Sequence, residues 1–353
     1  MYFERFCEER GIKSETIKSY RGTIKKYSDF HEVPFDNLIE EALEEQRNTE
    51  IPKIQRKIQT RLVNFRTFLL NETDLKHSTI TNHIGNLKTL YKQFYIELPE
   101  LPTVRNTDIV DTTYFDLPSK KHISMAIEAT GVRLKSLILF MASSGTAREE
   151  CSNITVRTFI KACEGYYTKE NLKDIIEELY TSPEQIVPTF TLLRMKTSKK
   201  YSTFCTPEAT HAILEWLLFR IDILEAKNEE LSLDDSLWGW SVRQITYHFT
   251  RLNDELGFGF AQEYRFFTPH ALRKFNGSNI GLSADRVDAI HGRSKNTLHN
   301  TYIKNNPTEL KKRYMNVMEN VTIGDKYKKE IIHEDFTINI NLNFYMNEAS
   351  ISL

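Results

Sequence analysis

Four short runs in the second half of the chain carry the residues best suited to chemistry: SSGTAREECSNIT, LLRMKTSKKYSTF, TPHALRKF and HGRSKNTLHNTYIKN. The last holds two histidines, His291 and His299, with Arg293 and Tyr302. His270 stands three residues before Arg273, which places both on one face of a helix. Arginine stays charged and offers a planar fork that suits phosphate. A tyrosine hydroxyl can attack a phosphate directly and store the bond energy in a covalent link, without water, ATP or a metal. Extra negative charge then develops on the non-bridging oxygens, and fixed cationic donors stabilise it. Commoner chemistries have no signature here. The sequence holds no Walker-type glycine loop, GxGxxG, HExxH or GxSxG, and no DxD-like cluster stands out as a Mg²⁺ site.

These runs need a scaffold, and the chain is long enough to supply one. Its 353 residues suggest two domains, and 40% apolar with 11% aromatic residues argue against wholesale disorder. Four cysteines, at 7, 151, 163 and 205, form no CxxC pair and read as buried thiols of a reducing compartment. MYFERFCEERG lacks an apolar signal core, and no stretch approaches a membrane span. A soluble, intracellular protein is expected. The net charge of −1 hides segregation. Acid gathers in FDNLIEEALEEQ and DILEAKNEELSLDD. Base gathers at Lys53, Arg56, Lys57, Arg61 and Arg66, followed by Lys76, Lys88 and Lys92; at Arg194, Lys196, Lys199 and Lys200; and at Arg293, Lys295, Lys304, Lys311, Lys312 and Arg313. Phosphate binding depends on local field rather than on the sum, although each cluster alone also fits a solvated helix face.

The first hundred residues read as helical. Ile17, Tyr20, Ile24 and Tyr27 fall at helical intervals, as do Ile80, Ile84, Leu87, Tyr91 and Phe94. Ser78 is the expected N-cap of the second stripe, and LPELP its stop. Asn82, His83, Lys88 and Lys92 lie on other faces, a front that suits DNA. A linker is expected over 102–116. Helices resume at KHISMAIEATG and RLKSLILFMASSG. VPTFTLLRMK and YSTFCTP read as a hairpin about a TSKK turn. Further helices follow at PEATHAILEWLLFRIDIL, SVRQITYHFTRLNDEL and SADRVDAIHG, the last begun by Ser283 and stopped at Gly292. Ser294 can cap a helix carrying Tyr302. NPTE offers Asn306 as a cap, Pro307 at the first position and Glu309 as capping partner. Beyond about 325 the sequence alternates like a strand.

The order of the four runs resembles the tyrosine recombinase (phage integrase) family, whose site is Arg, Lys, His-x-x-Arg, His or another donor, then Tyr. The resemblance covers most of the chain. HALR followed by a tyrosine twenty-nine residues after its arginine is the most specific part. It implies a mostly α fold with a small antiparallel sheet: a helical, SAM-like core-binding domain over 1–101, a linker, an α+β catalytic domain over 117–325, and a tail over 326–353 that can cross to a neighbouring subunit. It implies a site-specific DNA recombinase of archaeal integrase type. Arg148 and Arg273 become phosphate clamps, His270 a proton-transfer or orienting group, Lys196 the acid for the leaving 5′ oxygen, and Tyr302 the nucleophile. Arg293, nine residues before Tyr302, fills the slot usually held by histidine, with His291 as the alternative. Arg56, Lys57, Arg61, His83, Lys88, Lys92, Lys199, Lys200 and Lys295 are the candidate DNA contacts. No cofactor, metal, membrane or small-molecule substrate is implied; the partners are a double-stranded attachment site and further copies forming a tetramer on DNA, in a prokaryotic cytoplasm.

One motif departs from the family pattern. The arginine is commonly second after the glycine, with a carboxylate three later. Gly145 precedes Arg148 by three, so without a gap Ala147 would stand at the arginine position. Two other readings remain: a catalytically inactive DNA-binding protein on the same scaffold, and a nicking-closing enzyme like the type IB topoisomerases.

Overall fold

The apolar stripes of the first hundred residues become five helices: α1 Tyr2–Arg10, α2 Ser14–His31, α3 Phe35–Arg47, α4 Lys57–Asn71 and α5 His77–Gln93. The computed structural model describes residues 1–98, 100–101, 113–293 and 306–324. The chain divides into two units, Met1–Val110 and Asp111–Leu353. In the first, α5 turns Ile80, Ile84, Leu87 and Tyr91 inward, against Leu62, Phe65 and Leu69 of α4 and Tyr20 and Tyr27 of α2. On α2 the fully buried residue between the two tyrosines is Thr23; Ile24 lies at the edge. Each large side chain buried this way contributes roughly 1.5–3 kcal/mol.

The helix ends differ from expectation. α5 starts at His77 with Lys76 as its N-cap, so Ser78 lies inside it. It stops at Gln93, ahead of LPELP, where Tyr95 takes a left-handed conformation (φ 57). Residues 113–116 of the expected linker belong to the second unit: Tyr114–Asp116 form a capped 3₁₀ turn, and the Tyr114 hydroxyl donates to Asn279 Oδ1 at 2.6 Å.

The second unit is mostly helical with a small antiparallel sheet. After α6 (Lys120–Glu128) comes α7 (Val132–Ser144), in which every residue from Ser136 to Ser144 is buried. An all-round buried helix is a central one. It packs against α11 (Pro207–Glu225) and α13 (Pro269–Asn279). Three short helices that the sequence did not announce lie between: α8 Arg148–Asn153, α9 Val156–Ala162 and α10 Leu172–Thr181. The hairpin is β1 (Thr189–Arg194) and β2 (Lys199–Phe204), paired Thr189↔Phe204 through Arg194↔Lys199. Its turn is 195–198, so Lys196 lies in the turn rather than at the strand end, and Lys199 and Lys200 lie in β2. A second, unanticipated hairpin pairs β3 (Phe260–Ala261) with β4 (Tyr264–Arg265) after α12 (Val242–Glu255).

α14 (Ala284–Ile290) and α15 (Pro307–Met315) close the described chain. α15 is capped by Asn306, whose Oδ1 accepts from the Thr308 amide at 3.0 Å. Glu309 pairs with Arg313 at 2.8 Å instead of completing the cap. Of the cysteines, 151, 163 and 205 are buried, but Cys7 is partly exposed. No helix among the described residues is long and apolar enough to cross a membrane.

Candidate active site

Arg273 is the fixed point. Its helix starts cleanly, with Pro269 in the first turn and Thr268 Oγ1 accepting from the Ala271 amide at 3.0 Å. The fifth residue of the helix, Arg273, is then carried inward and is 3% exposed. Nη1 donates to the Gly145 carbonyl at 2.5 Å and Nη2 to the His291 carbonyl at 2.7 Å. One guanidinium thus joins the end of α7, the start of α13 and the end of α14. Burial first, then the guanidiniums of Arg194 and Arg293, lower its pKa to about 10. It remains charged at neutral pH.

His291 lies beneath that arginine and faces inward. It is fully buried, and its Nε2 is 2.8 Å from Asn276 Oδ1. Asn276 Nδ2 donates to the carbonyls of Ala142 (3.0 Å) and Ser143 (2.7 Å), so Oδ1 must accept. Nε2 therefore carries the proton, and Nδ1 keeps a lone pair with no partner among the described residues. Burial, reinforced by Arg273, Arg293 and Arg194, pushes the His291 pKa down to about 2. This imidazole is neutral and serves as a tie between α14, α13 and α7. Gly145 makes the approach possible: at φ +66, a Cβ there would meet the His291 ring and come within 2.8 Å of Asn276 Oδ1.

The end of α14 then throws the chain back toward the cluster. Gly292 takes φ +63, its amide donates to Ala289 O (3.1 Å), and the Arg293 amide donates to Asp288 O (2.8 Å). These two bonds form a Schellman stop. Arg293 emerges exposed, with Nη1 3.9 Å from Asp288 Oδ1. Any Cβ at 292 would strike the ring of Tyr201, at 2.6 Å from Cδ1. Tyr201 is buried, its hydroxyl has no partner among the described residues, and burial drives its pKa up.

His270, one turn before Arg273, sits at the open side. Partial burial first, then Lys274, Arg273, Arg293 and Lys196, lower its pKa. Its neutral form is the ground state near pH 7, able to accept or donate a proton. Lys196, exposed in the hairpin turn, and Lys274 are thus part of the same electrostatic field. The remaining cation is Arg194, whose Nη1 donates to Glu150 Oε1 at 2.9 Å. Glu150 Oε1 also accepts from the Met195 amide at 3.3 Å. Arg194 and Arg293 thus act on Arg273 and His291, and Lys274, Arg273, Arg293 and Lys196 act on His270, so cations from three separate stretches of sequence share one field. Such a convergence of donors can hold a phosphate and stabilise charge developing on it. Among the described residues no group of three His, Cys, Asp or Glu side chains could hold a metal ion.

Not every candidate lies there. Arg148, the first residue of α8, is exposed and donates from Nη1 to Thr246 Oγ1 of α12 at 3.0 Å. In the first unit, Arg56 pairs with Glu97 (3.3 Å), while Lys57 (2.6 Å) and Arg61 (2.7 Å) share Glu41. His83 is half-buried, with Nδ1 2.8 Å from Thr23 Oγ1, so it packs inward rather than onto a DNA-facing front. Lys92 is exposed, Lys88 half-buried, Lys200 exposed and Lys199 half-buried. Tyr302, His299, Lys295, Lys304, the Ser294 cap and the tail after 325 lie outside the described residues. In the sequence Arg194 reads only as part of a basic cluster and Glu150 only as an acid beside Arg148, while Asn276, Tyr201 and Lys274 carry no signal of a site. The signal available for Arg194 was the alternation of β1, which puts it on the inward face with Phe190 and Leu192.

No protein-family model matches the chain, and no curated protein does. It is similar to several solved structures. One is XerH site-specific recombinase bound to difH substrate in a pre-cleavage complex, at 14% identity over 88% of this chain and 82% of that one, TM-score 0.49. Another is a lambda integrase tetramer bound to a Holliday junction, at 13% identity over 86% and 75%, TM-score 0.48. A third is XerA recombinase, at 17% identity over 89% and 95%, TM-score 0.35.

Proposed function

We propose that this chain is a site-specific DNA recombinase that cuts and rejoins strands through a tyrosine. The observation that supports it best is the field around Arg273: a guanidinium tied to two backbone carbonyls, with Arg194, Arg293, Lys196 and His270 acting on the same place. In this reading the scissile phosphate of duplex DNA binds there. The Tyr302 oxygen attacks phosphorus, the bond from phosphorus to the 5′ oxygen breaks, and a 3′-phosphotyrosyl link forms. Lys196 supplies the proton that the leaving 5′ oxygen takes up. His270 orients the phosphate and accepts the tyrosine proton. Arg293 donates to a non-bridging oxygen; arginine cannot cycle a proton near neutral pH. A 5′-hydroxyl from a partner duplex reverses the steps and exchanges the strands. Two sites and four strands make a tetramer on attachment-site DNA the working assembly, as in a mobile element of a prokaryotic cell.

A suicide substrate carrying the attachment site tests this. A covalent protein–DNA adduct is expected with the wild type, and none with Tyr302→Phe, whose DNA affinity should stay within about threefold because only the nucleophilic oxygen is gone. No wild-type adduct on its own site would sink the enzymatic reading. One observation favours a second reading, an inactive DNA-binding protein: Arg148 is committed to Thr246. Sequence-independent relaxation of supercoils would instead mark a nicking-closing enzyme.

A further inference from the structure

The first arginine of the site is the weak point of the sequence pattern, and the fold offers a different residue for it. Ala147, the N-cap of α8, occupies the place two after Gly145. The carboxylate three residues further on is Glu150, whose side chain is 1% exposed. A buried carboxylate without a cation would be costly, and the cation it receives is Arg194. The partner arrives from the hairpin, 44 residues later in sequence. β1 alternates inward and outward, and Arg194 continues the inward parity of Phe190 and Leu192 to the strand end. Its side chain is 14% exposed.

The geometry leaves Arg194 free to do more than neutralise Glu150. Of its five N–H groups, one on Nη1 goes to Glu150 Oε1. Nε and Nη2 donate to no protein atom among the described residues. Arg194 is also the charge that acts most strongly on Arg273, ahead of Arg293, and it acts on His291 and Tyr201 as well. Like-charged guanidiniums held together need an anion between them. Glu150 answers one; its Oε2 and the Tyr201 hydroxyl are buried without partners beside the pair. Arg148, by contrast, is exposed and donates from Nη1 to Thr246 Oγ1 of α12 at 3.0 Å.

We infer that Arg194, delivered by β1 and oriented by Glu150, is the second arginine that binds the scissile phosphodiester beside Arg273, in the place that Arg148 holds by sequence order alone. This rests on the recombinase reading above for its substrate. Arg194 supplies the planar fork toward a non-bridging oxygen, and Glu150 is a positioning residue that fixes the angle of that fork.

Three full-length variants test it: Arg194→Ala, Arg148→Ala, and the pair Arg194→Gln with Glu150→Gln, which removes both charges and so leaves no buried carboxylate unpaired. Thermal unfolding establishes that each is folded. On the suicide substrate, Arg194→Ala and the double variant should lose on the order of 10²–10³ in adduct formation, and Arg148→Ala far less. The reverse order overturns the proposal while leaving the recombinase reading intact. Inorganic phosphate supplies a second readout that needs no cleavage. Phosphate-induced stabilisation should be retained in Arg148→Ala and lost in the double variant. If the double variant keeps the phosphate response, Arg194 is not the anion ligand, whatever the adduct assay gives. If the wild type forms no adduct but its phosphate response depends on Arg194, the recombinase reading falls and the arginine site stands.

Discussion

Two basic regions look alike in the sequence and differ in the fold. In the first unit, Arg56, Lys57 and Arg61 come from one stretch and spread onto acids of the same unit, Glu97 and Glu41. Arg61 gives both Nε and Nη2 to one oxygen of Glu41. In the second unit, cations from the hairpin, from α13 and from beyond α14 converge, and Arg273 is spent on backbone carbonyls that carry no full charge. Paired surface charges contribute little field to a ligand; convergent, partly buried ones are screened far less. The number of lysines and arginines in a run therefore says less about phosphate binding than where their partners come from.

The sharpest way to break that contrast is to remove the convergence point. Arg273→Lys should cut adduct formation on the order of 10²–10³, since a lysine cannot hold two carbonyls and still present a fork; a wild-type rate would show that the field does not centre there. Next is the packing that holds the point in place. Gly145→Ala puts a methyl into the His291 ring at a left-handed backbone position, and should cost about 2–4 kcal/mol in urea unfolding.

The pH dependence of stability carries a smaller signature of the same packing. With the His291 pKa lowered to about 2 in the folded state from 6.5, the unfolded chain binds the extra proton throughout that window. Stability is complete above about pH 6.5 and falls as pH drops, by about 1.4 kcal/mol per unit for this one group. Wild type should thus lose about 2 kcal/mol more than His291→Gln between pH 7 and pH 5. Parallel curves for the two proteins would mean that the imidazole is not held neutral. The smallest effect belongs to the first unit. Glu41→Gln frees Lys57 and Arg61, so DNA affinity should rise several-fold at low salt, with a steeper salt dependence. No change in either would mean that this surface does not meet DNA.

Much of the scaffold was legible because it is set by neighbours in sequence. The stripe Ile80, Ile84, Leu87, Tyr91 needs only the helical period. The stop at Gly292 needs only a residue tolerant of positive φ, and the cap of α15 only Asn306 before Pro307. The hairpin followed from β-branched and aromatic alternation, and that alternation already fixed which face Arg194 would take. HALR put His270 and Arg273 one turn apart without any tertiary information.

What the tertiary structure alone decided is partnership. That the buried Glu150 pairs with Arg194, while Arg148 two residues before it turns to Thr246, could not be read from a sequence in which Glu150 and Arg194 stand 44 residues apart. Whether His291 or Arg293 faces the open side turns on Asn276, whose amide is locked by carbonyls more than 130 residues earlier. Whether a basic run is free or neutralised turns on Glu41 and Glu97. Secondary structure is fixed over a few residues by local sterics and capping, whereas a charge is defined by what desolvates and pairs with it, and those groups come from anywhere in the chain.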